Sequence, residues 1–339
     1  MYKESQVTGL AKLVRYIAYL VALGVLLIAG IAYYMHQPVP VTSTAPAVPP
    51  GSGEDRAVPA SVAEDYEIPP FANTPEGQLA AYGYKLITET YALIGPESKR
   101  PVTGNHLACS SCHLNGGTKP FAAPYIGLSG VFPIYIGREN MIVSLEERVN
   151  GCLERSMNGK ALDPNDEVMR AIITYIKHLS RDVPVGVRIK GQGFVDFTPP
   201  GRAADLARGA GVYAQNCTSC HGAGGQGLKG GEGNREGGYL YPPLWGPDSY
   251  NDGAGMARIL TAARFIKGNM PLGVTHNSPV LSDTDAYDVA AYINSQARPQ
   301  KTGKEKDYPD LKKKPKDCPY PPYADTILQQ QHKYGPFNF

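Results

Sequence analysis

The chain has 339 residues, which is enough for two ordinary domains that each have a hydrophobic core. Its formal net charge of +2 is nearly neutral and argues against a nucleic-acid-binding protein, because such proteins need a strongly basic surface. Glycine and proline are both frequent, with 38 and 30 residues, so we expect compact domains joined by long irregular segments.

An apolar run near the N-terminus predicts a membrane anchor over residues 1–35. Three basic residues precede the run: Lys3, Lys12 and Arg15. The run extends from Tyr16 to Met35, which matches the roughly 20 residues of a transmembrane helix better than the roughly 7–15 residues of a signal-peptide core. A signal cleaved near Ala45–Ala47 is the alternative. Because positive residues stay in the cytoplasm, we expect the rest of the chain on the periplasmic side of the bacterial inner membrane.

Residues 36–73 are rich in proline among Thr, Ser, Gly and Ala, and they predict an extended linker that cannot bury enough apolar surface to fold. Ordered structure is expected to begin at Thr74, because a capping hydroxyl followed by Pro75 is a helix-start signal. Everything after this point is predicted to be mostly α-helical.

A first domain is predicted over residues 74–183. A helix with apolar residues at helical spacing leads into a C-x-x-C-H motif at Cys109, Cys112 and His113. Ser144 and Glu147 then form a capping box for a second helix. A third helix is predicted from Asn165 to Leu179.

The same order of elements recurs over residues 184–297, which predicts a second domain of the same type by internal duplication. A helix leads into a second C-x-x-C-H motif at Cys217, Cys220 and His221. A glycine-rich loop is expected from Gly222 to Gly238, followed by helices near Met256–Ile266 and after Ser282. The tail, 298–339, has no helical period, and its aromatic residues favour packing on a domain surface over disorder.

Each C-x-x-C-H motif predicts one covalently bound haem c. Two thiols attach to the vinyl groups of the haem, and the following histidine binds its iron. A zinc site would need two further ligands at short spacing, and a thioredoxin-like site would need a preceding strand. Neither pattern is present, so we predict a cytochrome c-like protein with two haems.

The second iron ligand is easier to assign in the second domain than in the first. Met270, in a short loop before a proline, is the expected distal ligand of the second haem, with His276 and Lys267 as alternatives. The first domain has no comparable Met-Pro pair. Its methionines are expected on helices as core residues: Met141, Met157 and Met169.

Cys152 is a cysteine that haem attachment does not use. It could be the missing distal ligand of the first haem, or it could form a disulfide with Cys318. The disulfide would leave the first haem without an obvious strong ligand, so we favour ligation. Three histidines have no spacing that suggests iron binding and are expected to be structural or exposed: His106, His178 and His332.

From about Thr74 onward, the chain resembles the dihaem thiosulfate dehydrogenases, which interconvert thiosulfate and tetrathionate. The resemblance rests on several motifs: "GNHLACSSCHLNGGTKPFAAPYIGL", "YIGREN", "ERVNGCLERSMNG", "NCTSCHG", "KEKDYPDLKKKPKDCPY" and "HKYGPF". It implies that Cys152 is the distal ligand of the catalytic haem. It also implies that Arg138, Arg148 and Ser156 line the substrate site. The residue before the ligand methionine can be a competing lysine in this family, and here it is Asn269, which implies a stable His/Met haem.

These residues suit the oxidation of two thiosulfates to tetrathionate. Thiosulfate is a dianion and requires nearby cations, whereas a thiolate is soft enough to bind iron or a sulfane sulfur. Arg148, Cys152 and Ser156 are spaced by four and share one face of a continuous helix, although Gly151 weakens that helix.

A soluble cytochrome c or a similar carrier is the expected electron acceptor. Two alternatives stay open from the sequence. One is a dihaem electron-transfer protein without its own catalysis, and the other is a thiosulfate-loading subunit of a sulfur-oxidising complex. The sequence does not determine the dominant direction of the reaction.

Overall fold

A computed structural model describes residues 2–35 and 66–339, and the chain is mostly α-helical, as predicted. Most of the predicted linker, 36–65, and the alternative cleavage position near Ala45–Ala47 lie outside the described residues. The contacts between Cα atoms divide the chain into two units, Met1–Arg56 and Ala57–Phe339.

The described part of the N-terminal unit is the helix α1, at Tyr2–Met35. Its segment Val14–Tyr34 is 21 residues long, and in the described ranges it is the one stretch of helix long and apolar enough to cross a membrane. Large apolar side chains along this segment are exposed, such as Leu20 and Leu26. The predicted apolar run is therefore helical, and the helix begins well before the run.

The second unit begins with the elements predicted for the first domain. Its helices are α2 (Pro75–Thr88), α3 (Thr90–Leu93), α4 (Leu114–Gly117), α5 (Leu145–Arg155) and α6 (Glu167–Ser180). Strands β1 (Ile134–Ile136) and β2 (Met141–Val143) form an antiparallel hairpin between α4 and α5. Met141 therefore lies on a strand and is exposed, so its prediction as a helical core residue was wrong.

The elements of the second predicted domain follow in a similar order. Its helices are α7 (Leu206–Asn216), α8 (Thr218–His221), α9 (Ile259–Asn269) and α10 (Asp283–Ser295). Strands β3 (Leu228–Gly231) and β4 (Asn234–Tyr241) also form an antiparallel hairpin. The predicted glycine-rich loop over 222–238 is confirmed only for residues 222–227, and the rest of that range belongs to the hairpin. Gly233 has a positive φ of 75° at the hairpin turn, a conformation that glycine adopts without strain.

Short 3₁₀ helices and one terminal α-helix complete the chain. The 3₁₀ helices are Cys109–Ser111, Leu128–Gly130, Gly255–Ala257, Lys304–Lys306 and Leu311–Lys313. The last helix is α11, Gln329–Tyr334. The domain boundaries themselves stay a prediction, and we refer below to residues 74–183 as the first half and 184–297 as the second half.

A glycine allows the first and last helices of each half to approach closely. A Cβ on Gly83 of α2 would lie 2.1 Å from the Ala171 carbonyl oxygen of α6. In the second half, a Cβ on Gly209 of α7 would lie 2.1 Å from the Asp288 carbonyl oxygen of α10. Any side chain at either glycine would force the helices apart. The two halves therefore share one helix-packing solution, as an internal duplication predicts.

The two halves have separate hydrophobic clusters. The first half buries α2 and α6 against each other through residues such as Leu86, Ile172 and Tyr175, and Met157 and Met169 are also buried there. The second half buries α9 and α10 through Ile259 and Tyr287. Met157 follows the end of α5 rather than lying inside it, so its core position is confirmed but its helical position is wrong.

The C-terminal tail packs on the rest of the second unit, as expected from its aromatic residues. Arg258 before α9 forms an ion pair with Asp317, whose side chain is almost fully buried. The Tyr287 hydroxyl of α10 donates a hydrogen bond of 3.0 Å to the Tyr334 carbonyl oxygen. Tail residues 304–320 also extend to the region around α5, where they become part of the candidate site.

Candidate active site

Helix α5 presents the residues that the sequence singled out. The Ser144 hydroxyl accepts a hydrogen bond of 3.2 Å from the Glu147 N–H, and the Glu147 carboxylate accepts one of 2.7 Å from the Ser144 N–H. This predicted capping box starts a helix that continues through Gly151. As expected from their spacing, Arg148 and Cys152 share one face, and both line the same cavity.

The guanidinium of Arg148 lies directly beside the sulfur of Cys152. Its Nη1 donates a hydrogen bond of 2.9 Å to Sγ. Burial alone would raise the pKa of Cys152, but Arg148 and the adjacent His113 lower that pKa to about 6. The sulfur is therefore stabilised as a thiolate, which is the form that acts as nucleophile and metal ligand.

The first C-x-x-C-H motif faces Cys152 across this cavity. It forms a tight turn in which the His113 N–H donates to the Cys109 carbonyl oxygen at 3.0 Å. The Nδ1 of His113 lies 2.7 Å from the Ala123 carbonyl oxygen, which assigns the proton to Nδ1 and leaves Nε2 free to bind a metal. Cys109 and Cys112 line the same cavity.

The residues that line the cavity fit a haem, for which His113 and Cys152 are the candidate iron ligands. Its other walls are largely apolar and come from several elements, including Leu107, Tyr125, Phe132, Ile172 and Ile176. Apolar walls suit a porphyrin, and the two motif thiols that would attach it line the same cavity. The geometry thus supports the predicted ligand pair, although the role of each residue stays a prediction.

A wider cavity of about 680 Å³ opens from Cys152 toward the surface, and we call it the mouth. Arg138 lies in the turn between β1 and β2 and lines the mouth together with Arg148, Cys152 and Ser156. The four residues predicted to form the catalytic site are therefore brought together. Ser156 caps the end of α5, where its N–H bonds to the Cys152 carbonyl oxygen.

Arg138 is held in place by the C-terminal tail. Its Nε donates a hydrogen bond of 3.4 Å to the Tyr308 hydroxyl, and its guanidinium lies 5.8 Å from the centroid of the Tyr308 ring. The Tyr308 N–H donates to the Arg138 carbonyl oxygen at 2.8 Å. Burial alone would lower the pKa of Arg138, but Tyr308 and Tyr320 raise it, so this arginine stays charged.

Sequence reasoning missed a buried ion pair next to the site. Arg155, at the end of α5, binds Asp307 of the tail through two hydrogen bonds of 2.9 and 2.7 Å. The Tyr320 hydroxyl donates to the same carboxylate at 2.6 Å. Arg155 stands within the cysteine-centred motif, which was the one available signal, but nothing in the sequence indicated its distant partner.

The second C-x-x-C-H motif has the same local geometry as the first. The His221 N–H donates to the Cys217 carbonyl oxygen at 2.9 Å, and its Nδ1 lies 2.7 Å from the Pro242 carbonyl oxygen. His221 is buried, and its Nε2 is again left free to bind iron. The residues present therefore fit a second haem.

Met270, which the sequence predicts as the distal ligand of this second haem, is the residue that caps the C-terminal end of α9. The neighbouring Asn269 is fully buried, and its amide nitrogen donates to the Phe121 and Phe265 carbonyl oxygens, each at 3.1 Å. Lys267, an alternative ligand, forms an ion pair of 2.6 Å with Asp283. The assignment of Met270 stays a prediction.

The cysteines outside the haem motifs form no disulfide, and two of the histidines outside these motifs contact neighbouring side chains. No disulfide joins any of the six cysteines, all of which the structure describes, so the alternative pairing of Cys152 with Cys318 is not formed. Cys318 is buried in the tail. His106 bonds to Asp248, and His332 stacks on Tyr323 with ring centroids 3.7 Å apart.

Two family profiles match separate parts of the chain. Residues 99–185 match the family described as "SoxA/TsdA, cytochrome c domain". Residues 204–293 match the family described as "Cytochrome C oxidase, cbb3-type, subunit III". Both matches contain a C-x-x-C-H motif, and a cytochrome c domain carries covalently bound haem c.

Several relatives are named thiosulfate dehydrogenase. The protein of Psychrobacter arcticus is 45% identical over 61% of this chain and 61% of its own length. That of Stutzerimonas stutzeri is 41% identical over 70% of this chain and 74% of its own length. That of Allochromatium vinosum is 39% identical over 68% of this chain and 84% of its own length.

One solved structure is also similar, the "as isolated" form of thiosulfate dehydrogenase (TsdBA) from Marichromatium purpuratum. It is 37% identical, with a TM-score of 0.63 over 69% of this chain. This chain spans 49% of that solved chain and 61% of the Psychrobacter protein, which is less than two thirds in both cases. On the identity and coverage of the Stutzerimonas and Allochromatium proteins, this chain belongs to the thiosulfate dehydrogenase family.

Proposed function

We propose that this protein is a thiosulfate dehydrogenase that joins two thiosulfate ions into tetrathionate and releases two electrons. The observation that carries the proposal is the position of Cys152. Its sulfur lies 2.9 Å from an arginine and next to the histidine of a C-x-x-C-H motif, at the inner end of a mouth lined by cations. A soluble electron-transfer protein does not need a thiolate and arginines at this place.

We propose two haems c, one for each C-x-x-C-H motif. His113 and Cys152 would hold the first iron, whereas His221 and Met270 would hold the second. When bound, the haems supply iron centres that accept electrons one at a time. The apolar cavity walls and the Nδ1–H bonds of both histidines support this assignment.

The first chemical step forms a sulfur–sulfur bond on Cys152. Its thiolate bonds to the sulfane sulfur of one thiosulfate, which gives a Cys–S–SSO₃⁻ adduct and releases two electrons. No proton moves, because both reacting sulfurs begin as anions. Arg148 compensates the charge of the approaching dianion and hydrogen-bonds to the reacting sulfur.

The second step transfers the bound group to another thiosulfate. The sulfane sulfur of the second thiosulfate attacks the sulfane sulfur of the adduct, which is the sulfur bonded to the sulfonate. This attack forms tetrathionate and releases Cys152 as a thiolate. The two electrons of the first step would be taken up by the haems held at His113 and His221, and a soluble cytochrome c or a similar carrier would be the final acceptor. Arg138 lines the mouth, where it is positioned to hold the second dianion.

We also propose that the N-terminal helix anchors the protein on the periplasmic side of the membrane. Its exposed apolar surface and the preceding basic residues support an anchor, and a removed signal sequence is the alternative. Membrane fractions washed with carbonate should retain the full-length protein. Mature soluble protein that lacks Tyr16–Met35 would contradict the anchor.

The activity is tested with the purified holoprotein, thiosulfate and ferricyanide. One tetrathionate should appear for every two ferricyanides reduced, and a low-potential dye tests the reverse reaction. An electron-transfer cytochrome without its own catalysis would not oxidise thiosulfate, so neither ferricyanide reduction nor tetrathionate formation would exceed the uncatalysed rate. A thiosulfate-loading subunit would show turnover only after a carrier protein with an acceptor cysteine is added.

A further inference from the structure

The proposed reaction gathers two dianions in one mouth, and the two arginines on their own compensate only part of that charge. The mouth is also lined by Arg155, Arg258 and Lys313. A mouth volume of about 680 Å³ has room for more than one small oxyanion. Whether each of these three cations can bind an anion therefore depends on the groups that it already contacts.

Two of the three cations are already neutralised by buried carboxylates. Arg155 binds Asp307 through two hydrogen bonds, and both side chains are about 90% buried, at 10% and 9% exposed. Arg258 binds Asp317, whose side chain is 1% exposed. A buried carboxylate cannot release its partner without a large desolvation penalty, so these arginines are not available to a diffusing anion.

Lys313 differs from both arginines because its charge is available at the rim. Its Nζ donates a hydrogen bond of 2.7 Å to the Tyr135 hydroxyl and lies 4.4 Å from the centroid of that ring. Its one carboxylate contact among the described residues is loose, at 3.6 Å to Asp310, with side chains 47% and 38% exposed. A contact of this kind in water contributes little and yields easily to an anion.

The backbone places Lys313 beside the arginine of the mouth. A Cβ on Gly137, next to Arg138, would lie 3.4 Å from the Lys313 Cβ, so the two segments are in contact. Tyr135 donates its own proton to the Asn140 Oδ1 at 2.6 Å, so its oxygen is free to accept from Lys313. The β1–β2 hairpin thus orients the ammonium group.

We propose that Lys313 of the C-terminal tail is a further substrate-binding residue, which holds the outer sulfonate of the second thiosulfate and of the tetrathionate product. The proposal rests on the proposed function. Arg148 would bind anionic groups next to the Cys152 sulfur, and Arg138 would bind them in the middle of the mouth. Lys313 would bind them at the rim. The C-terminal tail would therefore form part of the active site, in addition to packing on the rest of the second unit.

Carboxylates also line the mouth and must be considered beside Lys313. They are Glu139, Glu147 and Glu154. The Glu147 carboxylate is engaged at the start of α5. These carboxylates oppose the binding of a dianion, so an additional available cation in the mouth favours binding.

The test compares Lys313→Ala with Lys312→Ala in the holoprotein. Both variants lose one positive charge from the same turn of the tail, but Lys312 is not among the residues that line the mouth. We expect Lys313→Ala to raise the KM for thiosulfate roughly fivefold to tenfold with little change in kcat, the size expected for one partly exposed ionic contact. Lys312→Ala should match the wild type, and Lys313→Arg should restore most of the loss.

The dependence on salt and a direct binding measurement separate binding from a structural role. In Lys313→Ala, kcat/KM should fall less steeply with ionic strength than in the wild type. Calorimetric titration with tetrathionate should show a similar loss of affinity. Equal effects of the two lysine variants, or a fall in kcat with unchanged KM, would overturn the proposal.

Failure of this proposal is distinguishable from failure of the proposed function. If the wild type forms tetrathionate and Lys313→Ala has the wild-type KM, only the role of Lys313 is wrong. If the wild type forms no tetrathionate, the proposed activity is wrong. Calorimetry with thiosulfate then still shows whether Lys313 contributes to binding the dianion.

Discussion

The two halves of this protein place their C-x-x-C-H motifs in similar scaffolds but give them different surroundings. In each half, a glycine allows the first and last helices to meet, and a C-x-x-C-H histidine directs its Nδ1 at a carbonyl oxygen. The first half then opens a mouth lined by cations around Cys152. The second half instead buries Asn269 beside Met270. In the proposed function, the first half would carry out the chemistry and the second half would store and pass on electrons.

Removing the cysteine should give the largest effect, because it erases the main difference between the halves. We expect Cys152→Gly to lower thiosulfate oxidation by about 1,000-fold or more, since this sulfur forms the covalent intermediate in the proposed mechanism. Both haems should stay attached. Turnover with ferricyanide and a haem stain of the denatured protein measure these two outcomes.

Cys318→Ser is the matched control for this change, because Cys318 is also free but buried in the tail. Its turnover should match that of the wild type at equal haem content. Wild-type rates in Cys152→Gly would refute the catalytic role of the cysteine.

Breaking the buried ion pair next to the site should chiefly affect stability. Asp307→Asn leaves the Arg155 guanidinium without its charged partner in a site where both side chains are about 90% buried. We expect the free energy of unfolding to fall by about 3–5 kcal/mol. Asp182→Asn removes a carboxylate from a pair whose side chains are 49% and 81% exposed, and it should have almost no effect. Equal denaturation midpoints for the two variants would show that the tail does not stabilise α5.

Removing the arginine at the sulfur tests the electrostatics of the mouth. Arg148→Ala loses the hydrogen bond to Cys152 and one cation. One charge-assisted hydrogen bond contributes about 1.5–3 kcal/mol, so kcat/KM for thiosulfate should fall roughly 10-fold to 150-fold. Arg170→Ala on the exposed face of α6 is the control for lost charge. A comparable loss in the control would mean that overall charge, rather than the site, determines affinity.

A smaller, pH-dependent effect on stability is expected from His106 of the first half, which bonds to Asp248 of the second half. Burial alone would lower the pKa of His106, but its hydrogen bonds to Asp248 and Glu97 raise it above the usual value. Asp248 also accepts from the Tyr239 hydroxyl. The charged histidine stabilises the fold fully below the unfolded pKa of 6.5, and this contribution disappears as the pH rises through the folded pKa.

His106→Asn should therefore lower the free energy of unfolding by about 1 kcal/mol near pH 6, a modest value because Glu97 is largely exposed. The loss should be smaller near pH 9. Denaturation midpoints at the two pH values measure the difference, with His178→Asn as a control. The same loss at both pH values would show that the charge of His106 does not contribute.

Local signals in the sequence predicted much of the fold and of the site. The capping boxes at Ser144 and Ser282 mark the starts of α5 and α10 because a helix start depends on residues within one turn. The β3–β4 hairpin was missed because its glycines resemble a loop. Arg155 and Asp307 are 152 positions apart, so only the fold brings them together. For the same reason Lys313 could not be assigned to the mouth from the sequence.

The claim that the two halves hold their irons differently has one direct test, which is the electron paramagnetic resonance spectrum of the oxidised holoprotein. We expect a low-spin thiolate-type signal that is lost in Cys152→Gly and kept in Met270→Gly, together with a second low-spin signal that Met270→Gly alone alters. A thiolate-type signal that persists in Cys152→Gly, or that is absent from the wild type, would contradict iron ligation by Cys152.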